Sequence, residues 1–226
     1  MKFIYICRDG SNEELRYSIR SVLYFYPNAD IHIFGGRPSW YSGQYTEVKN
    51  QGSKFDNISE CYKKICNSDI DKFILMNDDF YIINKPDSFS HYYDGLLEDK
   101  IQRHMDEYGI SKYARVLSEA NKKLKRMGIS MPLNYDVHTP MIFEKEKLCK
   151  IVELSDAPRS MYGNIYGVGG EKIKDIKIYK NTDNVYVNGY FLSSEDNSFN
   201  KVLGLLQSKF KDPSFYESDL FTTSNI

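Results

Sequence analysis

Two adjacent carboxylates interrupt an apolar run of the chain. The run begins after Lys72, meets Asn77-Asp78-Asp79, and resumes at Phe80. Neighbouring carboxylates repel each other, so keeping both ionised is costly unless a cation or hydrogen-bond donors compensate. Mg²⁺ or Mn²⁺ on Asp78 and Asp79 would do this and would bridge a diphosphate in turn. The alternative is a polar turn at a strand end, where Asn and Asp are common. The apolar flanks favour a functional site, because a surface turn does not need them.

Arg8 and Asp9 follow the first apolar segment of the chain. In an open α/β sheet, ligands bind beyond the carboxyl ends of the strands. We therefore expect Arg8 and Asp9 to face the same edge of the sheet as the acidic pair. Arg8 could hold a phosphate there, and Asp9 could hold a ribose or a base. A local surface ion pair is the alternative interpretation.

A histidine and a late acidic segment are further candidates for chemistry. His138 precedes Pro140, which favours extended backbone before it. A histidine in such a position can be a metal ligand or a general acid or base near neutral pH, although a lone histidine is often structural. Ser193-Ser194-Glu195-Asp196 brings carboxylates near the end of the sheet, with Asp196 as a candidate base. The alternative for this segment is a cap on the last helix.

The segment from Tyr162 to Gly170 is rich in glycine. It lacks the Gly-Lys-Ser/Thr ending of a P-loop, and it does not join a strand to a helix as a dinucleotide-binding fingerprint does. We predict a loop from Gly163 to Gly170. A mobile flap over a bound donor is the functional alternative.

The elements that must position these residues alternate between strand and helix patterns. Phe3 to Cys7, a helix capped by Ser11 or Asn12, and Ile31 to Phe34 predict a βαβ unit and a parallel sheet. We predict one α/β domain over 1–226, with a mostly parallel central sheet flanked by helices, a helical insertion at 88–127 and a tail at 211–226. The other predicted elements are strands at 45–48, 141–143, 173–179 and 185–187 and helices at 55–65, 145–154 and 197–210.

The composition excludes some classes of protein. With 226 residues and a net charge of −1, the chain lacks the basic footprint that strong binding to bulk nucleic acid needs. The apolar runs are too short for a membrane span, and we find no signal-peptide pattern, so a cytoplasmic location is expected. The 19 Tyr and 13 Phe suit stacking on sugars or bases, with an aromatic-rich core as the alternative. We expect free thiols and no zinc site at Cys7, Cys61, Cys66 and Cys149.

Three of these segments together resemble two sets of enzymes. They are the opening strand, the helix from Asn12 to Ser21, and Met76-Asn77-Asp78-Asp79-Phe80. They are similar to GT-A type glycosyltransferases, whose strand-ending acidic motif binds a metal and a nucleotide-linked sugar. With His138-Thr139-Pro140 they also resemble the Stealth sugar-phosphate transferases. The chain is similar to phage-encoded proteins classed as glycosyltransferases as well, including the Tyr162 to Gly170 stretch.

The resemblance implies a GT-A-like fold and a metal-assisted glycosyltransferase that uses a nucleotide-sugar donor. It implies that Asp78 and Asp79 hold Mn²⁺ or Mg²⁺ or the donor phosphates, that His138 is catalytic or binds the metal, and that Arg8 and Arg16 contact the donor. From the residues themselves we add Asp9 and Asn77 as donor contacts and Asp79 and Asp196 as candidate catalytic residues. A sugar-1-phosphate transferase and a non-catalytic sugar- or nucleotide-binding module are the alternatives. The acceptor stays open among a glycan, a protein and a modified nucleic-acid base, and a phage protein would act in the host cytoplasm.

Overall fold

The computed structural model describes residues 1–49, 52–182 and 189–218. The strands are β1 Lys2–Cys7, β2 Asp30–Gly35, β3 Gln44–Glu47, β4 Lys72–Asn77, β5 Phe80–Ile82, β6 Tyr92–Tyr93, β7 Met141–Glu144, β8 Glu171–Lys172, β9 Lys177–Ile178 and β10 Phe191–Ser194. The helices are α1 Glu13–Phe25, α2 Lys54–Cys66, α3 Leu97–Tyr108, α4 Lys112–Arg126, α5 Lys145–Val152, α6 Pro158–Ile165 and α7 Phe199–Lys209, with a 3₁₀ turn at Asp196–Ser198. Within these residues, no helix has the length and apolarity needed to cross a membrane.

A five-stranded sheet in the order β3-β2-β1-β4-β7 forms the centre of the molecule. The first four strands are parallel and β7 is antiparallel to β4. The mixed α/β architecture with a mostly parallel sheet and the opening βαβ unit are therefore confirmed. β1 lies between β2 and β4 and is apolar on both faces, as expected of a parallel strand that helices cover on both sides.

The alternation of side chains along β1 and β4 divides the core into two clusters. Ile4 and Leu75 pack into the cluster that holds α2, α4, α5 and α6. Tyr5 and Met76 pack with α1 on the other face. Because successive side chains of a strand point to opposite faces, the polar residues at the carboxyl ends are distributed between both faces. This division decides which of them reach the cleft described below.

The predicted helical insertion at 88–127 is confirmed as two helices, but it begins later than expected. Its helical part begins at Leu97, because the preceding residues form the short strand β6, which pairs with β8. The predicted loop at 163–170 is wrong in its first part, because α6 continues to Ile165. Gly163 is a packing residue: a Cβ there would lie 2.3 Å from the Tyr135 ring. The glycine at position 163 therefore reflects a close contact inside a helix and not a turn.

The late strands differ from the sequence prediction. Of the predicted strand at 173–179 only the two residues of β9 are a strand, β8 lies just before it, and β10 was not predicted. β10 pairs with β5 and β9 in a separate three-stranded sheet. Its sequence, Phe-Leu-Ser-Ser, shows neither alternation nor a long apolar run, so periodicity did not reveal it. The strand predicted at 185–187 lies outside the described residues.

Two of the four cysteines differ from the expectation of free thiols. Cys66 and Cys149 form a disulfide, with Cα atoms 5.4 Å apart, where the end of α2 packs against α5. The 83 residues between them hide this pairing from the sequence. Cys7 and Cys61 are free and buried, as predicted.

The first part of the predicted tail at 211–226 is anchored to the body of the protein. The Ser42 amide donates to the Tyr216 carbonyl (2.9 Å), and the Ser218 amide donates to the Trp40 carbonyl (2.8 Å). Glu217 is buried and pairs with two arginines of α1, Arg16 and Arg20. This segment therefore fixes the outer face of α1, the helix that contributes Asn12 and Glu14 to the site.

Candidate functional site

Asp78 lies where β1 and β4 end together. Asn12, the N-cap of α1, donates from Nδ2 to Asp78 Oδ2 (2.7 Å) and accepts from the Leu15 amide (3.1 Å). Arg8 Nε lies 3.6 Å from the same Asp78 oxygen. The contact between Arg8 and Asp78 is consistent with the prediction that both lie at one edge of the sheet. Residues at the start of α1 contact both side chains.

Arg8 joins two further carboxylates to this edge. Its Nη2 lies 2.8 Å from Glu14 Oε2, and its Nη1 donates to Asp196. Glu14 is only 4% exposed and also accepts from Ser194 Oγ at the end of β10 (3.1 Å). In the sequence, Glu14 is only an acidic residue in the first turn of α1. No sequence signal indicates its role, because its partners come from both ends of the chain.

Asp79 faces different partners from Asp78. Lys177 Nζ in β9 donates to Asp79 Oδ2 (2.7 Å), and Ser193 Oγ donates to the same oxygen (3.4 Å). The other oxygen, Oδ1, is buried without a hydrogen-bond partner among the described residues. Sequence reasoning missed Lys177 because it lies in a two-residue strand. Each member of the acidic pair therefore has its own cationic neighbour.

Negative charge still exceeds positive charge at this edge. Burial, and next the charge of Asp78, raise the pKa of Glu14 to about 7 despite the nearby Arg8. Burial and the charge of Asp79 raise the pKa of Asp78. The hydrogen bond from Arg8 lowers the pKa of Asp196. The pKa of Glu14 therefore lies near neutral pH.

The stability of the protein should report this excess charge through Glu14. Its pKa in the folded state lies above the unfolded value of about 4.3, so the native state binds more protons between these values and stability falls as pH rises from about 4 to 7. We expect Glu14→Gln to flatten that slope and to stabilise the protein at pH 8 by about 1–3 kcal/mol. Urea unfolding of both proteins at pH 5 and pH 8 measures this. Equal slopes in the two proteins would contradict the assignment.

His138 forms a pair with Asp175, a residue the sequence did not single out. The imidazole Nδ1 lies 2.8 and 2.9 Å from the two Asp175 carboxylate oxygens, and the His138 amide donates to Oδ1 (3.3 Å). Burial works to raise the pKa of Asp175, but the hydrogen bond and charge of His138, with the charge of Lys100, outweigh it and lower the pKa to about 2. An ionised Asp175 holds the proton on Nδ1. A neutral imidazole then leaves Nε2 as the proton acceptor.

A cleft of about 990 Å³ opens beside these groups. Its lining includes the carboxyl ends of both central strands and the residues near the histidine, namely Ile6, Asn77, Phe80, His138, Arg159 and Glu195. Among the described residues that line it, Asn77 represents the acidic motif, whereas Asp78 and Asp79 do not line it. Ile6 and Asn77 are in register on β1 and β4, so the cleft lies at the sheet edge where ligands of open α/β sheets bind.

The carboxylates as they are arranged here do not fit a divalent metal. Asp78 is hydrogen-bonded to Asn12, Asp79 is paired with Lys177, and His138 is paired with Asp175. Within the described ranges, no three His, Cys, Asp or Glu side chains are grouped so that they could hold an ion. The metal role of Asp78, Asp79 and His138 stays a prediction, and no chemical step below depends on it.

Two predicted donor residues have other surroundings. Arg16 forms ion pairs with Glu13 and Glu217, and its guanidinium lies 4.6 Å from the centre of the Trp40 ring. These partners therefore lie in α1, at Trp40 and in the anchored C-terminal segment, and none of them is a residue of the acidic motif. Asp9 follows Arg8 in an exposed turn.

Comparison with known proteins gives structural likeness only. No family model matches the chain, and no curated protein matches it. Galactosyltransferase LgtC, solved with donor and acceptor sugar analogs, is 10% identical with a TM-score of 0.49, over 95% of this chain and 96% of that one. An active-site mutant of LgtC is 11% identical with a TM-score of 0.44, over 86% of this chain and 87% of that one. The apo glycosyltransferase GlyE of Streptococcus pneumoniae is 12% identical with a TM-score of 0.32, over 77% of this chain and 45% of that one. At these TM-scores, all below 0.5, the likeness supports no argument about this chain.

Proposed function

We propose that the protein is a glycosyltransferase that moves a sugar from a nucleotide-sugar donor to an acceptor hydroxyl. One observation carries the proposal. A cleft large enough for such a donor opens at the carboxyl ends of β1 and β4, beside the Asp78–Asp79 turn, and is lined by His138, whose Nδ1 contacts Asp175 (2.8 Å). Pockets of roughly 300–1,000 Å³ hold ligands of this size.

In this proposal His138 is the general base. Its Nε2 accepts the proton of the acceptor hydroxyl while the hydroxyl oxygen bonds to the anomeric carbon of the donor sugar. The bond from that carbon to the phosphate oxygen breaks, and the nucleoside diphosphate leaves with the electron pair. Ionised Asp175 orients the ring and stabilises the imidazolium that forms, as a carboxylate does in other histidine bases.

The polar groups at the strand ends position the donor in this proposal. Asn77 offers an amide to the cleft, and the network of Arg8, Asp78 and Asp196 fixes the turn behind it. Metal assistance is not part of the proposal, because both carboxylates of the motif already have partners. It is tested separately by adding Mn²⁺ or a chelator.

A thermal-shift screen of nucleotide sugars tests donor binding. At a donor concentration 100 times its Kd, stability rises by about 2.7 kcal/mol, which for a chain of this size is a shift of roughly 5–10 °C. Asp78→Asn should reduce the shift, because the turn that positions Asn77 loses its charge contact with Arg8. The matched control is Asp99→Asn, at an exposed site in the first turn of α3.

The pattern across donors and variants decides the outcome. A rise in Tm with the sugar of one nucleotide, reduced in Asp78→Asn and kept in Asp99→Asn, supports the proposal and identifies the nucleotide of the donor. The same screen with Mn²⁺ and with a chelator shows whether a metal takes part. If no nucleotide sugar raises the Tm of the folded protein, with Mn²⁺ or with a chelator, the proposed donor class is wrong.

A further inference from the structure

Arg159 is a buried cation with an incomplete set of partners. It is 8% exposed and lies in the first turn of α6. Its Nε donates to the Tyr135 carbonyl (3.2 Å), and its Nη2 donates to the Thr139 carbonyl (2.5 Å). Its Nη1 is buried and has no hydrogen-bond partner among the described residues. Two carbonyls thus fix the guanidinium, and neither supplies a negative charge.

The charge of Arg159 also lacks a close counterion. Among the described residues, no carboxylate forms an ion pair with it within 4.0 Å; Asp136 and Asp175 act on it only at longer range. Burial lowers the pKa of Arg159, as expected for a cation moved out of water. A buried charge without a partner is unfavourable. An anion supplied by a ligand would remove this cost.

The start of α6 adds a second feature of an anion site. The N-cap position is Ala157, which makes no side-chain cap, and the next residue is Pro158. Ala157, Pro158 and Arg159 all line the cleft. A helix N-terminus presents backbone N–H groups and a partial positive charge, which favour phosphate. The exposed carboxylate of Asp156 also lines this part of the cleft and is the nearest charge along the chain that opposes an anion.

Arg159 lies close to the candidate base. Its guanidinium carbon lies 5.9 Å from the centre of the Phe80 ring, and that centre lies 6.1 Å from the centre of the His138 ring. The cation and the imidazole therefore both lie near Phe80, and all three residues line one cleft. A ligand that reaches His138 can extend a phosphate to Arg159.

We propose that Arg159 and the N-terminus of α6 form a phosphate-binding site in the cleft. The proposal deepens the proposed function and rests on it for the identity of the ligand, which carries the phosphate either in the donor diphosphate or on a phosphorylated acceptor. Arg159 Nη1 donates to a phosphate oxygen, and the backbone N–H groups of Arg159 and Ser160 donate to the same group. Pro158 has no N–H, and the Ala157 amide already donates to Ser155 Oγ (3.1 Å). The ligand then supplies the hydrogen-bond acceptor that Arg159 Nη1 lacks among the described residues.

Calorimetric titration with inorganic pyrophosphate tests the site without requiring any turnover. We expect Arg159→Gln to weaken binding at least tenfold, since hydrogen bonds to charged groups contribute about 1.5–3 kcal/mol. The matched control is Arg103→Gln, an arginine of the same cleft that is half exposed and already paired with Asp94 (3.0 Å). It should change binding less than twofold.

A second variant keeps the test valid if Arg159→Gln does not fold. Asp156→Asn removes the exposed carboxylate that lines this part of the cleft and opposes an anion. We expect it to tighten pyrophosphate binding about two- to fivefold, the size of effect that an exposed charge has, with little change in Tm. Unchanged or weaker binding in a folded Asp156→Asn protein, or equal binding in Arg159→Gln and Arg103→Gln, would overturn the proposal.

Two further titrations identify the source of the phosphate. If Arg159 holds the donor, its replacement weakens binding of a nucleoside diphosphate; if it holds the acceptor, it weakens binding of a hexose 6-phosphate and leaves the nucleotide unaffected. Pyrophosphate binding that depends on Arg159, in a protein that binds no nucleotide sugar, would keep the phosphate site and reject the proposed function. The two failures are therefore distinguishable.

Discussion

His138→Ala is expected to lower kcat for sugar transfer by about 10²- to 10⁴-fold, the range that a positioned general base contributes. The structure gives the reason: Asp175 contacts Nδ1, which leaves Nε2 of this cleft residue as the proton acceptor in the proposed mechanism. Donor binding should change little, because the effect arises only when the acceptor proton moves. Steady-state kinetics with the donor found in the screen measure the loss as a change in kcat with nearly constant KM.

Two variants separate this role from a structural one. Asp175→Asn should keep the fold but lower kcat by at least tenfold, because an amide does not stabilise the imidazolium. His104→Ala is the matched control: His104 lies in the same cleft and bonds Ser111 Oγ (2.8 Å) without a carboxylate partner. An equal loss of kcat in His104→Ala and His138→Ala would contradict the assignment of the base.

Glu217→Ala is expected to destabilise the protein by about 3–5 kcal/mol, the cost of breaking a buried ion pair by removal of one partner. The Glu217 side chain is fully buried, and its oxygens contact Arg16 (3.0 Å) and Arg20 (2.6 Å). Its Oε1 also accepts from the Ser214 amide (2.7 Å). The loss corresponds to a Tm decrease on the order of 10 °C for a chain of this length. Chemical unfolding at pH 7 gives the value directly.

Glu13→Gln provides the comparison for this prediction. Glu13 pairs with Arg16 at 3.1 Å, but its side chain is half exposed, and exposed pairs contribute about 0–1 kcal/mol. A small effect for Glu13 beside a large one for Glu217 would show that burial of the pair decides the energy. If Glu217→Ala unfolds at the same denaturant concentration as Glu13→Gln, the segment to Ser218 does not anchor α1.

The sequence predicts the fold class and the first strands and helix of this protein well, and its long-range contacts poorly. Apolar periodicity and turn residues predict β1, α1 and β2, because the interactions that form them are local or adjacent along the chain. The same reasoning places Arg8 and Asp78 at one sheet edge, since parallel strands end together. The sequence does not show to which face of the sheet each side chain points. This orientation decides why Asn77 lines the cleft and Asp78 does not.

The missed residues share one physical cause. Lys177 contacts Asp79 from a two-residue strand, and Asp175 contacts His138 across 37 residues of chain. The sequence indicates neither Arg159 nor the helix in which it lies. Nothing local to these residues distinguishes them, because their roles arise from tertiary contacts that only the folded chain brings together. The disulfide of Cys66 and Cys149 was missed for the same reason.

The most direct test of the account is whether the protein consumes a nucleotide sugar. Purified protein is incubated with each donor and a mixture of candidate acceptors, and the released nucleotide is separated and identified, with His138→Ala run in parallel. The account predicts release of a nucleoside diphosphate that falls at least 100-fold in the variant. Release of a nucleoside monophosphate would instead indicate sugar-phosphate transfer, and no release above the His138→Ala level with any donor would contradict the central claim.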